Sequence, residues 1–151
     1  MLKFLTTIVL LVLAGPLTAE EALQTQYHDS GAEVQAIKAK AADGVLTIIV
    51  RYTNDTGGKI EESFPLSEVY YIDPVENKKY SVLRDENGKW IANPVNNQGK
   101  IGVVGRDWGL GIDDGKKKVM WFKFPEPASG GDVVNLVVPN VTPFDGLAIS
   151  R

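Results

Sequence analysis

The sequence predicts an all-β domain, an antiparallel β-sandwich, on three observations. The first is alternation: in Lys116 to Phe124, Val119 and Trp121 fall on one parity while Met120, Phe122 and Phe124 fall on the other. Val134, Leu136 and Val138 share one parity of Asp132 to Pro139, and two such period-two runs read as paired strands joined by the loop Pro125 to Gly131. The second is that turn chemistry recurs about every ten residues along the chain. The third is that no segment beyond the first nineteen residues carries a convincing helical period.

Taken in order, residues 1–19 read as a secretory signal peptide. Lys3 supplies a basic start, Phe4 to Leu13 is apolar apart from Thr6 and Thr7, and Ala19 closes a small-residue cleavage site ahead of Glu20. The apolar run is about half of the ~20 residues that a membrane-crossing helix needs, so cleavage is expected rather than anchoring. Leu13-Ala14-Gly15 opens like a lipoprotein signal, but Pro16 stands where the lipid-modified cysteine belongs, so a soluble mature protein without stable membrane insertion is expected. Localisation is then periplasmic or secreted. Residues 20–31 show no period and read as a lead-in; the domain proper is placed at residues 32–151.

Ala32 to Ala42 alternates weakly, with Val34 and Ala36 on one parity, and suits an edge strand. Asp43-Gly44 is a two-residue hairpin signal. It leads into Val45 to Tyr52, where Leu46, Ile48, Val50 and Tyr52 are assigned to the core. Asn54 to Gly58 is a loop, and the polar segment Lys59 to Pro65 is expected to cross between sheets. Val69 to Ile72, Tyr80 to Leu83, Lys89 to Ala92, Ile101 to Val104 and Leu147 to Ile149 are read as further short strands, punctuated by Asp73-Pro74, Asn77 to Lys79 and Asp85 to Gly88. Gly105 to Gly115 is a glycine-rich approach to the aromatic strand.

Composition narrows the chemistry. At 151 residues with 44% hydrophobic and 23% charged content, the chain has an ordinary globular balance and length enough for a core without covalent staples. It has no cysteine, which removes disulfides, thiolate metal sites and cysteine nucleophiles together. Without residues 1–19 the balance is 15 basic against 19 acidic side chains, a mild acidity that argues against nonspecific binding to nucleic acid or to an anionic membrane, so no nucleic-acid partner is expected. Lys116 to Lys118, behind Asp113-Asp114, reads as a solvated strand end.

No catalytic residue is assigned. His28 is the one histidine and is expected at the surface, which leaves a histidine-based triad without a well-placed base and zinc without a ligand set. Glu61-Glu62, Asp73, Asp85-Glu86, Asp107 and Asp113-Asp114 could supply paired carboxylates, but all are read as turn residues. Asp107 to Gly115 and Asp85 to Gly88 hold oxygen ligands of the kind calcium takes, without matching a full calcium loop, so no metal and no cofactor is assigned. Trp90 and Trp108 flank loops, whereas Trp121 is expected in the core. Trp108 has glycines at 105, 109, 111 and 115 around it and little side-chain cover, which makes it the aromatic best placed for a contact.

Lys79-Tyr80, Leu83-Arg-Asp-Glu-Asn-Gly88, Trp121-Phe-Lys-Phe-Pro-Glu-Pro127, Val133 to Pro139 and Pro143-Phe-Asp-Gly-Leu-Ala-Ile-Ser150 together resemble a bacterial family of secreted immunoglobulin-like domains. Such domains occur in envelope lipoproteins, in secreted antigens of the mycobacterial type and ahead of peptidoglycan-binding modules. The resemblance covers roughly residues 33 to 150 and rests on strand and turn punctuation. It implies an immunoglobulin-like sandwich at the cell envelope, with no catalytic set to carry over. The expectation is thus an exported, cofactor-free binding module for an envelope or extracellular protein or other macromolecule. Its site is placed at one end of the sandwich, on Asp107, Trp108, Asp113 and Asp114. A calcium-dependent or carbohydrate-binding module is the alternative.

Overall fold

The structure is a computed structural model and describes residues 21–95, 99–101 and 110–151. In chain order the strands are β1 (Gln24–Tyr27), β2 (Glu33–Ala42), β3 (Val45–Asn54), β4 (Ile60–Glu62), β5 (Phe64–Pro65), β6 (Tyr70–Asp73), β7 (Lys78–Ser81), β8 (Ala92–Asn93), β9 (Lys100–Ile101), β10 (Leu110–Ile112), β11 (Lys116–Pro125), β12 (Val133–Val137) and β13 (Phe144–Ala148). A 3-10 turn, Leu66–Glu68, precedes β6. The protein is all-β, and its antiparallel sheets pack together.

The larger sheet has the order β1-β2-β3-β11-β8. Asp43 and Gly44 both take positive φ, 52° and 78°, which is the backbone twist that a two-residue hairpin between β2 and β3 demands. On the far side of β3, β11 pairs without interruption from Lys116 opposite Asn54 to Pro125 opposite Val45. The free edge of β2 is shared: β1 covers its first half, and Ser150 covers the second through Ala41 N–H to its carbonyl (2.8 Å) and its own N–H to Ala39 (2.9 Å). A bulge between Ala36 and Lys38 marks the changeover. The smaller sheet has the order β13-β12-β6-β7, and two-stranded ribbons pair β4 with β10 and β5 with β9.

Alternation fills the space between the sheets. Leu46, Ile48, Val50 and Tyr52 from β3 and Met120, Phe122 and Phe124 from β11 are buried, as the sequence pattern requires, and they meet Tyr71, Val134, Leu136, Phe144 and Leu147 from the smaller sheet. Tyr71 spans the layer: its ring lies edge-on to Phe124 at 5.4 Å, stacks on Tyr80 at 4.8 Å, and its hydroxyl donates to the Pro125 carbonyl at 2.7 Å. Burial, with the neighbouring Tyr80 phenol and the Asp73 and Glu126 carboxylates adding to it, pushes the Tyr71 phenol well above its ordinary value. Each fully buried large apolar side chain here contributes about 1.5–3 kcal/mol of transfer free energy.

Several expectations are corrected. The two aromatic and valine-rich runs do not pair with each other; β11 and β12 belong to different sheets, so their apolar parities face each other across the core instead of lying side by side. Both arrangements satisfy the same alternation, which is why periodicity alone could not separate them. Trp121 shares the parity of Val119, is half-buried, and lies on the outer face of the larger sheet rather than in the core. Residues 24–27, read as part of a lead-in, form the edge strand β1. Glu62 is no turn residue but a buried position of β4.

Candidate functional site

The sandwich-end patch divides in two. Asp107 and Trp108 lie outside the described residues. Asp113 and Asp114 are exposed and build the turn into β11: the Asp113 carbonyl accepts Lys116 N–H at 3.0 Å, and Asp114 Oδ1 accepts Gly57 N–H at 2.8 Å. Buried Asn54 ties this turn to the neighbouring loop, its amide donating to the carbonyls of Gly58 and Ile112 at 2.7 Å each. Asp85 likewise spends Oδ1 on Asn87 and Lys89 N–H, both at 2.8 Å. Among the described residues no three His, Asp or Glu side chains converge as metal ligands would. Trp90 is half-buried against the core, with the Arg84 guanidinium 3.7 Å from its ring centre.

Asp73 is buried at the end of β6, where it accepts Val75 N–H at 2.9 Å and holds the following turn. Burial alone would raise its pKa, but hydrogen bonds from the Ser129 hydroxyl and the amides of Val75, Glu76 and Ser129 outweigh that and leave the carboxyl below its ordinary value.

His28, expected at the surface, is buried. Its Nε2 lies 3.0 Å from Glu62 Oε1, and Nδ1 accepts Ser30 N–H at 3.0 Å with Ser30 Oγ at 2.7 Å. Accepting at Nδ1 places the ring proton on Nε2, toward the carboxylate, although that contact is too poorly aligned to count as a hydrogen bond. Asn140 Nδ2 donates to the same Glu62 oxygen at 3.1 Å. The Tyr52 ring lies 6.1 Å from the imidazole, and burial together with the Glu62 charge holds its phenol far above the ordinary range. No local sequence pattern signals this cluster, because it joins β3, β4, the end of β1 and the turn after β12, positions that are distant along the chain.

A serine, a histidine and a carboxylate in line invite a comparison with nucleophilic hydrolases. The surroundings do not match one. The amides of Asp29, Ser30 and Gly31 donate to Asn140 O, His28 Nδ1 and His28 O, so the three nearest in sequence are spent and leave no oxyanion site at Ser30. The cluster locks β1 and the turn at Asn140 onto β4.

The second constellation is on the outer face of the larger sheet. Lys40 and Lys123 both register with Thr47, Lys38 and Trp121 both with Ile49, and Glu33 and Lys117 both with Thr53. Arg51, between Gln35 and Val119, donates through Nε to Gln35 Oε1 at 3.1 Å. Five basic side chains thus share one face with Glu33 as the acid among them, and none of the five forms an ion pair among the described residues. Near the hairpin end, Lys38, Lys40, Lys123, Thr47 and Asp43 line a shallow open groove of about 400 Å³.

The chain matches no family model, no curated protein and no solved structure.

The basic face is therefore read on its own geometry. A signal for it was present in the sequence, since Arg51 and Lys123 fall on the parity opposite the core; what hid the rest was the bulge in β2.

Proposed function

We propose that this chain is a non-catalytic binding module that recognises an anionic partner through the outer face of its larger sheet. Charge segregation carries this reading. The whole chain has a formal charge of −3, yet this face holds five basic side chains against Glu33 and, at the groove edge, Asp43, so the remainder carries six more negative than positive charges. Unpaired like charges on adjacent strands repel one another, a cost that fold stability alone does not explain and that an anionic ligand removes. Half-buried Trp121 beside Ile49 adds an aromatic anchor of the kind that concentrates binding energy. The finer fold assignment, an immunoglobulin-like sandwich, and a place in the periplasm or outside the cell belong to the same proposal. They rest on the resemblance of the strand and turn motifs and on the character of residues 1–19.

The test is retention on an immobilised polyanion such as dextran sulfate at low salt. The wild type is expected to bind despite its net negative charge and to elute as salt rises, and Lys38→Glu with Lys123→Glu to flow through. Failure of the wild type to bind, or unchanged retention of the variant, refutes the proposal.

A further inference from the structure

Resting on that reading of the face, we propose that the anionic partner is an acidic polysaccharide, a chain of sugar rings bearing carboxylates, laid across β2, β3 and β11. Three features of the face select this class over other anions.

The first is shape. A shallow, open groove walled by lysines does not enclose a small anion, since small-molecule sites bury most of their ligand. An extended polymer needs no such enclosure. Lys40 and Lys123 flank Thr47 with one strand between them, a separation of about 9.6 Å at the usual strand spacing. Lys38 lies about 7 Å along β2 from Lys40. The ammonium groups therefore form a spaced array suited to charges repeated along an extended chain.

The second is residue type. Protein–protein interfaces are depleted in lysine and exclude charge from their centres. Here four of the five basic residues are lysines, and three of them stand next to the Thr47 and Ile49 rows that form the middle of the face. Lysine acts as a mobile point charge, which suits carboxylates displayed on a flexible polymer better than a fixed protein epitope.

The third is the mixture of neutral groups. Trp121 lies between Ile49 and Asn93, one pleat along β11 from Lys123. The electron-rich face of an indole attracts polarised C–H groups, and a pyranose ring presents such a face. Thr47 and Asn93 offer hydroxyl and amide groups to sugar hydroxyls, and Asp43 at the groove edge is an acceptor for them that a bare phosphate chain would not need. Single-stranded nucleic acid would want successive aromatic rings on which to stack its bases, whereas Trp121 is the one aromatic side chain among the outward positions of β2, β3 and β11, and exposed Tyr27 stands at the far corner of the face, opposite Glu33 on β1.

Calorimetric titration of the full chain with an oligogalacturonate, and with its methyl-esterified neutral counterpart, tests the proposal. Binding of the acid form is expected, weakened at least tenfold by esterification and by Lys38→Glu with Lys123→Glu. Trp121→Ala is expected to weaken the oligogalacturonate about tenfold while leaving retention on dextran sulfate in place, which separates sugar stacking from charge. Circular dichroism confirms that these surface variants fold. If an acidic peptide or single-stranded DNA binds more tightly than the glycan and is lost on the same charge reversal, the glycan assignment is overturned and the basic-face reading stands. Equal binding of acid and ester likewise overturns the glycan assignment. If no anion binds, or charge reversal changes nothing, both fall.

Discussion

Replacing His28 by Leu leaves a side chain of similar bulk but strips Glu62 of its imidazole neighbour. The carboxylate is buried, with a side chain only 3% exposed; Oε1 keeps the Asn140 amide, and Oε2 has no hydrogen-bond partner among the described residues. Breaking one side of a buried charged contact costs about 3–5 kcal/mol, because the orphaned charge bears its desolvation uncompensated. The lower end applies here, since Nε2 and the carboxylate are close but not aligned as a hydrogen bond: H28L should destabilise by about 3 kcal/mol. A domain with about 5–15 kcal/mol of stability survives that loss. Adding Glu62→Leu removes the stranded carboxylate, relieves the field on the Tyr52 phenol and frees Asn140, which is exposed and can turn to water. H28L/E62L should therefore recover most of the loss, a coupling of about 2 kcal/mol, within the range for contacting residues. Urea unfolding at neutral pH, extrapolated linearly to water, measures all four corners of the cycle. Additive single substitutions would show that the two side chains do not depend on each other, and the account of the cluster as a polar lock would be wrong.

Two further outcomes follow from the placement of particular residues. Phe122→Ala should cost about 3–5 kcal/mol and Trp121→Ala no more than about 1–2, although tryptophan is the larger side chain; equal losses in thermal unfolding would return Trp121 to the core. Asp73 has a folded pKa below its unfolded value, so its contribution is present above the unfolded value and disappears as pH falls through the folded one. Asp73→Asn should thus be less stable than wild type by about 1 kcal/mol near neutral pH and should converge with it in strong acid, as followed by denaturation midpoints across pH. A gap that stays constant with pH would refute the role of the charge.

Much of the fold was legible because it is written in local pattern. The core parity of β3 follows from Leu46, Ile48, Val50 and Tyr52, the hairpin follows from Asp43-Gly44, and the inward row of β11 follows from Met120, Phe122 and Phe124. What alternation does not encode is which strand lies beside which. Phe122 is equally content beside or across from Leu136, so β11 and β12 were paired from the sequence when they belong to opposite sheets. The site was less legible still. Of the four residues expected at the sandwich end, Asp107 and Trp108 fall outside the described residues, while Asp113 through its carbonyl and Asp114 through Oδ1 brace the turn into β11. His28 is buried where its local sequence predicts exposure, because its surroundings include Glu62 and Asn140, residues that no window of neighbouring sequence contains.

The bulge in β2 explains both the weak period of that strand and the face it helps to build. Ahead of it, even-numbered Val34 and Ala36 point inward and odd-numbered Glu33 and Gln35 point outward; beyond Ile37 the phase reverses, so Ala39 and Ala41 are buried and Lys38 and Lys40 face solvent. In an unbulged strand the two lysines would share the inward row with Val34 and Ala36, where uncompensated burial of an ammonium is prohibitive. One extra residue therefore turns both charges onto the face already occupied by Arg51, Lys117 and Lys123, and it does so where the edge of β2 changes partner from β1 to Ser150. A bulge at that point serves packing, because Ile37 itself is buried, and it also completes the basic surface. The same residue that keeps lysine out of the core concentrates positive charge on one sheet face of a molecule whose net charge is negative.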